Sequence, residues 1–416
     1  MLNHYHRDEV FIAGGQPTVT YVERDELDIE RGLARAIAAP NQIVSLAGPS
    51  KSGKTVLCRR VLGEREYVWI DGGQINNSHS FWQRVCNELD IPDAVEKTSQ
   101  KEYMVKIEGS LCVTAGGSHI NKKCETHKKI NGMSDALKEM IFRKIILVID
   151  DFHYIKDEFR VDIVRSLKGA VFQGLKVILL SVTHRTFDAI KAESELTGRF
   201  SSIQLPPWSI GDLIKIAMRG FNVLKVLYDD DFVTTVAKEA QENPFLMQTF
   251  CWEMCFDIGI EEIGPFSSYT TLKSSYDLDQ LFIRIANDAG LPRYQQLAAG
   301  PQSRKIREKR PLRVGGVADI YQVILMAIAR TGPLAVITYE ELRTSINEIL
   351  SDRIPQKHEI TSALKHLSNI SHGAGLESAI DWNEENRSVT IADPYLRFYL
   401  RWQIRNRKLQ LSNIKN

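Results

Sequence analysis

Gly48-Pro49-Ser50-Lys51-Ser52-Gly53-Lys54-Thr55 matches the pattern G-x-x-x-x-G-K-[ST] at every fixed position. Each residue type in it has a chemical reason. The two glycines let the backbone curl until successive N–H groups converge on phosphate oxygens. Lys54 supplies a cation that reaches a β- or γ-phosphate, and Thr55 offers a hydroxyl to Mg2+. A helix beginning here aims the positive end of its dipole at the bound anion. The flanks agree. Ile43-Val44-Ser45-Leu46-Ala47 is a short apolar run of buried-strand type, and residues 55–62 read as helix. Strand, glycine loop and helix come in the order the motif requires.

Lys144-Ile145-Ile146-Leu147-Val148-Ile149-Asp150-Asp151 is a second buried-strand run, and it ends in two carboxylates. Acids at the carboxyl end of a parallel strand lie where an open α/β sheet holds its ligand. Phosphoryl transfer needs one carboxylate for the metal shell and another to orient the attacking water. Asp150 is assigned to Mg2+ and Asp151 to the water. Further runs at 67–71, 176–181 and 202–205 complete an α/β fold, a mostly parallel sheet with right-handed crossovers. The fourth run opens into Val182-Thr183-His184-Arg185, whose polar groups are expected to face the γ-phosphate.

The 416 residues are 43% hydrophobic and 25% charged, with a formal net charge of +1. Two or three domains are expected at that length, and a wholesale polybasic binder is excluded. No apolar stretch approaches the roughly 20 residues that span a bilayer. Residues 1–10 are polar and unlike a signal peptide, so a cytoplasmic protein is expected. The six cysteines form no C-x-x-C pair; Cys124-x-x-His127 lacks a second half, and Cys251 and Cys255 fall in a helical apolar pattern. Free thiols are expected rather than zinc ligands.

The core, residues 15–207, carries an insertion at about 96–133. Within it, 103–115 alternates as a hairpin, and Lys122, Lys123, Lys128 and Lys129 form a basic cluster, either a solvated loop or a contact for nucleic acid or a partner. Past Pro207 the strands give way to helical spacing at 208–224, 230–241, 245–256 and 278–289, with Ser209 and Asp230 as expected caps; this is a helical lid over 208–300. Residues 301–316, with Arg304, Lys305, Arg307, Lys309, Arg310 and Arg313 in and around them, read as a basic linker. In 317–416, helices at 319–330, 339–350 and 355–369 precede alternating stretches at 377–381 and 387–391, a winged-helix pattern. Ile360, Leu364 and Leu367 are expected inward, leaving Lys357, Thr361 and Lys365 on one exposed face suited to a major groove.

Together these features resemble the AAA+ and STAND P-loop ATPases, especially the branch of origin-recognition initiators, transposition regulators and apoptosis-type switch ATPases. The resemblance spans about residues 15–400. Gly48 to Thr55 looks like Walker A, and Val148-Ile149-Asp150-Asp151 like the STAND form of Walker B. Val22-Glu23-Arg24-Asp25 resembles the motif near the adenine pocket, with Glu23 where glycine is usual. Thr183-His184-Arg185 is similar to the sensor-one segment, and Gly198-Arg199-Phe200 to the arginine-finger position. Glu242-Asn243-Pro244-Phe245 resembles the Gly-x-Pro motif of the lid, with glycine again replaced.

The resemblance implies ATP and Mg2+ as cofactors, held by residues 48–55, Arg24, Pro244 and Asp150, with Asp151, Arg185 and Arg199 as catalytic residues. It implies a slow ATPase switch that binds ATP or ADP, assembles as a homo-oligomer with ATP, and acts through a separate effector protein. Phage defence or mobile-element control would suit such a switch. Two alternatives stay open: a DNA-binding loader or regulator of transposition or replication, and a nucleotide-binding scaffold without turnover. No membrane role is expected.

Overall fold

The structure is a computed structural model and describes residues 4–91, 132–182, 199–273, 275–302, 306–372 and 379–405. The expected hairpin at 103–115, the lysine cluster at 122–129, Cys124-x-x-His127 and the segment Thr183-His184-Arg185 lie outside the described residues. The chain divides into two units, one of Asp28–Ala47 and Leu57–Gln204, the other of Met1–Leu27, Gly48–Val56 and Leu205–Asn416.

The first unit is built on strands β1 (Ile43–Ala47), β2 (Tyr67–Asp71), β3 (Ile146–Asp150), β4 (Lys176–Ser181) and β5 (Phe200–Gln204). All run parallel in the order β2-β3-β4-β1-β5. In β1 all five residues are buried, as is the body of β3, which is why both read as continuous apolar runs. The edge strand β2 alternates buried and exposed positions instead. Helices α1 (Ile29–Ala38), α2 (Lys54–Leu62), α3 (Ser78–Glu88), α4 (Gly132–Arg143) and α5 (Asp157–Phe172) complete a three-layer α/β arrangement. Phe81 and Val85 of α3, Met140 of α4 and Leu167 of α5 pack with Ile70, Leu147, Ile149 and Leu179, every second residue of the strands and hence one face of the sheet. Asn77 starts α3 with a reciprocal cap: its side chain accepts from the Ser80 N–H, and the Ser80 hydroxyl accepts from the Asn77 N–H.

In the second unit, α6 (Ile210–Val223), α7 (Asp230–Glu239), α8 (Pro244–Asp257), α9 (Leu278–Ile285) and α10 (Leu291–Ala299) form the lid. Ser209 caps α6, accepting from the Asp212 N–H at 3.0 Å. The cap of α7 is Asp229 rather than Asp230: its carboxylate accepts from the Asp231 N–H, which leaves Asp230 as the first helical residue. The lid core, with Phe221, Phe250, Phe282 and Met254, also takes in Val10, Phe11 and Val22 from the start of the chain and Phe398 and Tyr399 from near its end.

The rest of this unit is a winged helix. Within the stretch read as a basic linker and just after it, β6 (Arg310–Pro311) pairs antiparallel with β7 (Val317–Ala318). Then come α11 (Ile320–Arg330), β8 (Val336–Thr338), α12 (Tyr339–Ile349), α13 (Lys357–His372), β9 (Ile380–Asn383), β10 (Ser388–Ile391) and α14 (Pro394–Tyr399). The three-stranded sheet has the order β8-β10-β9, all antiparallel. Ile360, Leu364 and Leu367 of α13 are fully buried against Ile324, Ile328, Leu342 and Ile346, as their spacing predicts. Asp319 and Thr338 open α11 and α12 with reciprocal caps to Gln322 and Glu341.

Candidate functional site

The chain leaves β1 at Ala47 and enters the loop 48–55, which ends as α2 begins at Lys54. Gly48 is needed for a close approach: a Cβ there would lie 2.8 Å from the Leu205 Cβ and 3.2 Å from its carbonyl oxygen. Gly53 is needed for its backbone, with φ at +95°. A second curl comes at Lys51, a non-glycine residue at φ +55°. Left-handed turns of this kind, alternating with right-handed ones, make N–H groups converge into an anion-binding concavity. Lys54, 7% exposed, donates its ammonium to the carbonyls of Gly48 (3.1 Å) and Pro49 (2.7 Å).

The lid and its entry segment grip this loop. Trp208 Nε1 donates to the Ser52 carbonyl at 2.9 Å. Asn243 Nδ2 donates to the Ser50 carbonyl at 3.3 Å, while its Oδ1 caps α8 by accepting from Phe245 N and Leu246 N. Pro244 sits at the first position of that helix, where its missing N–H costs nothing. Arg24 donates to the carbonyls of Pro206 (2.9 Å) and Pro207 (2.7 Å), stacks on Trp208 and pairs with Asp212. Burial lowers the Arg24 pKa, with Asp212 opposing. Burial alone would raise the Asp212 carboxyl, but hydrogen bonds with Lys215 and Ser209 and the charges of Lys215 and Arg24 hold it below the usual range.

In the sheet unit, the acidic corner is built where β2 and β3 end side by side, Asp71 paired in register with Asp150. The Asp151 N–H donates to Asp150 Oδ1 at 2.9 Å, and Asp151 itself takes φ +50°. Gly72 admits this turn: a Cβ there would lie 2.5 Å from the Asp151 carbonyl oxygen and 2.9 Å from that of Asp150. Asp71 closes its own corner by accepting from Gly73 N (2.8 Å) and Gln74 Nε2 (2.9 Å). Asp150 also faces α2. The buried Cys58 thiol is pushed up to about 12, by burial first and then by the Asp150 carboxylate. Because β1 and β3 are parallel members of one sheet, the strand end that bears Asp150 and the one that feeds the loop lie on the same edge.

Arg199 stands at the other edge, just before β5. Its carbonyl accepts from the Ile43 N–H, and its guanidinium lies 3.8 Å over the half-exposed Phe172 ring. Arg185 lies outside the described residues. Among the described residues, no group of three or more His, Cys, Asp or Glu forms a metal cluster, and no helix is long and apolar enough to cross a membrane. Cys58, Cys86, Cys251 and Cys255 are buried and form no disulfide.

On the winged helix, Lys357, Thr361 and Lys365 share the outward side of α13, but they have partners within the chain. Lys365 pairs with Glu384 of the β9–β10 turn, the Thr361 hydroxyl donates to the Lys357 carbonyl, and the Lys357 ammonium lies 5.9 Å from the Tyr339 ring. Several cations of the basic stretch are also held internally. Arg307 binds Asp319 and the Ala299 carbonyl; Arg310, 4% exposed, binds Glu359 and the Arg353 carbonyl.

No protein-family model and no curated protein matches this chain. Among solved structures it is similar to the Walker-type ATPase PABY2304 of Pyrococcus abyssi, with a TM-score of 0.53 at 14% identity, covering 92% of this chain and 100% of that one. The chain has the fold of a Walker-type ATPase. It also matches the Aeropyrum pernix ORC2 protein in its ADPNP–ADP complexes, with a TM-score of 0.47 at 12% identity over 100% of both chains.

Motif reading gave no role in this site to three side chains: Asp71, Trp208 and Asn243. Asn243 had a local signal, since asparagine before proline is a helix-start signature. Asp71 ends a strand as Asp150 does. Trp208 acts from a segment with no motif of its own.

Proposed function

We propose that this chain is an ATP-binding and slowly ATP-hydrolysing switch. The observation that carries the reading is the loop itself: Lys51 and Gly53 curl its backbone, Leu205 closes on Gly48, and α2 starts at Lys54. In this reading the loop N–H groups and Lys54 bind the phosphates, and Arg24 and Pro244 fix the segments that border the nucleotide. Thr55 and Asp150 offer hard oxygen donors, the chemistry that suits Mg2+, which takes one or two protein ligands beside phosphate and water. When bound, the ion neutralises charge that develops on the phosphate oxygens. Asp151 orients the attacking water and accepts its proton, and Arg185 adds positive charge beside the γ-phosphate.

Arg199 is proposed to act on a neighbouring copy. The carboxyl end of β1 is about 13 Å along the strand from the edge at which Arg199 stands, farther than an arginine side chain reaches. With it we propose a homo-oligomer formed with ATP that signals to a separate effector protein. Gel filtration with ADP and with ATP, alongside phosphate release, tests it. An ATP-dependent increase in mass with slow turnover is expected; the absence of both turnover and a size change would refute the switch.

A second reading, DNA binding through α13, has one observation in its favour. Lys357, His358, Ser362, Lys365 and His366 are exposed on that helix with no exposed acid among them. Duplex affinity that falls steeply with salt and weakens in Lys357→Glu is the expected sign, because phosphate contacts release counterions.

A further inference from the structure

Lys51 occupies a conformation that side chains rarely adopt, with φ at +55°. What accompanies that conformation is an aromatic seat. Its ammonium lies 4.8 Å from the centroid of Phe245 and 5.1 Å from that of Tyr395. The two rings stand edge to face, 5.5 Å apart at 87°. Phe245 belongs to the lid helix α8 and Tyr395 to α14, the last helix of the winged helix. The seat is fixed from both sides. Thr249 Oγ1 and the Tyr395 hydroxyl are 3.4 Å apart, and Asp393 caps α14 through Tyr395 N while pairing with Arg293 of α10. Arg397 of α14 donates to the Gln241 carbonyl, two residues before the Asn243 that holds the Ser50 carbonyl.

We propose that Tyr395, together with Phe245, is a positioning residue for the phosphate loop, holding Lys51 in the left-handed turn that the loop needs to receive a nucleotide. The inference rests on the nucleotide reading of loop 48–55 and adds its regulation. A lysine left without its seat reverts toward ordinary φ values and spreads the loop N–H groups apart. Docking of α14 therefore prepares the site. By linkage, nucleotide bound to the loop strengthens the docking of α14 by the same factor. The winged helix then carries the nucleotide state to whatever it contacts.

Titration of the full chain with methylanthraniloyl-ADP tests this in wild type, Lys51→Met, Tyr395→Leu and the double variant. Each single variant is expected to bind roughly 2- to 30-fold more weakly, the range of a cation–π contact. The double variant should bind no more weakly than the worse single one, because both remove the same contact. Tyr395→Phe keeps the ring and should recover most of the affinity lost in Tyr395→Leu. Should Tyr395→Leu fail to fold, hydrogen exchange at 394–402 provides the second readout: ADP should slow it in wild type and not in Lys51→Met. Additive single effects, or a Tyr395→Leu that binds as tightly as wild type or more so, would overturn the inference. A wild-type chain that binds no analogue would refute the nucleotide reading itself.

Discussion

Lys54 donates to the Gly48 and Pro49 carbonyls of its own loop, so its removal takes away the cation of that loop. Lys54→Ala should cost about 1–3 kcal/mol of stability, measured by thermal melting, and should abolish ATP binding or turnover. Asp151 offers a cleaner substitution. It sits at φ +50°, where asparagine is also tolerated, so Asp151→Asn removes charge without disturbing the turn. That variant should bind ATP and hydrolyse it roughly 10²–10⁴-fold more slowly, the range of a lost general base, whereas Asp150→Asn should raise the Mg2+ needed. Arg199→Ala should bind ATP and lose hydrolysis by up to roughly 10³–10⁵-fold, with partial recovery on mixing with Lys54→Ala chains. Turnover that stays normal in Arg199→Ala would exclude a finger. The loop was legible because phosphate binding requires fixed residue types at fixed local spacing. The seat of Lys51 was not, because Phe245 and Tyr395 come from distant segments and no local pattern ties them to a lysine.

At the scale of the element, two glycines make opposite predictions. Gly72 stands against backbone oxygens that cannot swing away, so Gly72→Ala should destabilise by about 1–3 kcal/mol and displace the acidic corner. Gly32 lies inside α1 with nothing near a new Cβ, so Gly32→Ala should stabilise by about 0.5–1 kcal/mol. Chemical denaturation of the two variants checks both signs. The same scale explains what sequence patterns could reach. The central strands β1, β3 and β4 and the winged-helix cores announce themselves through five or more periodic residues. The three-residue β8, the two-residue strands β6 and β7 and the six-residue α14 are too short to show a period, and their partners define them. Asp229 rather than Asp230 caps α7 because adjacent aspartates have the same chemistry, and only backbone geometry selects between them.

Across the lid and winged helix, α14 and the turn after it are bound by charge as well as by aromatic packing. Arg401 forms a two-pronged pair with Glu239, 2.7 Å on each arm, and Trp402 Nε1 donates to the same carboxylate at 2.9 Å. The Glu239 hydrogen bond is the main cause that raises the Arg401 pKa, so the cation stays charged at any ordinary pH. Glu239→Ala should cost about 1–3 kcal/mol and speed exchange of the α14 amides. A result confined to the end of α7 would show that the pair does not hold α14.

The lid core gathers Val10 and Phe11 at one extreme and Phe398 and Tyr399 at the other, with nearly four hundred residues of synthesis between them. A ribosome delivers these in order, at roughly 5–20 residues per second. The sheet unit has all its strands once Gln204 has emerged, whereas the lid core lacks Phe398 and Tyr399 until α14 arrives. For the time it takes to make the second half, the nascent chain carries an unfinished core. A stop codon anywhere before residue 398 leaves a lid core without Phe398 and Tyr399.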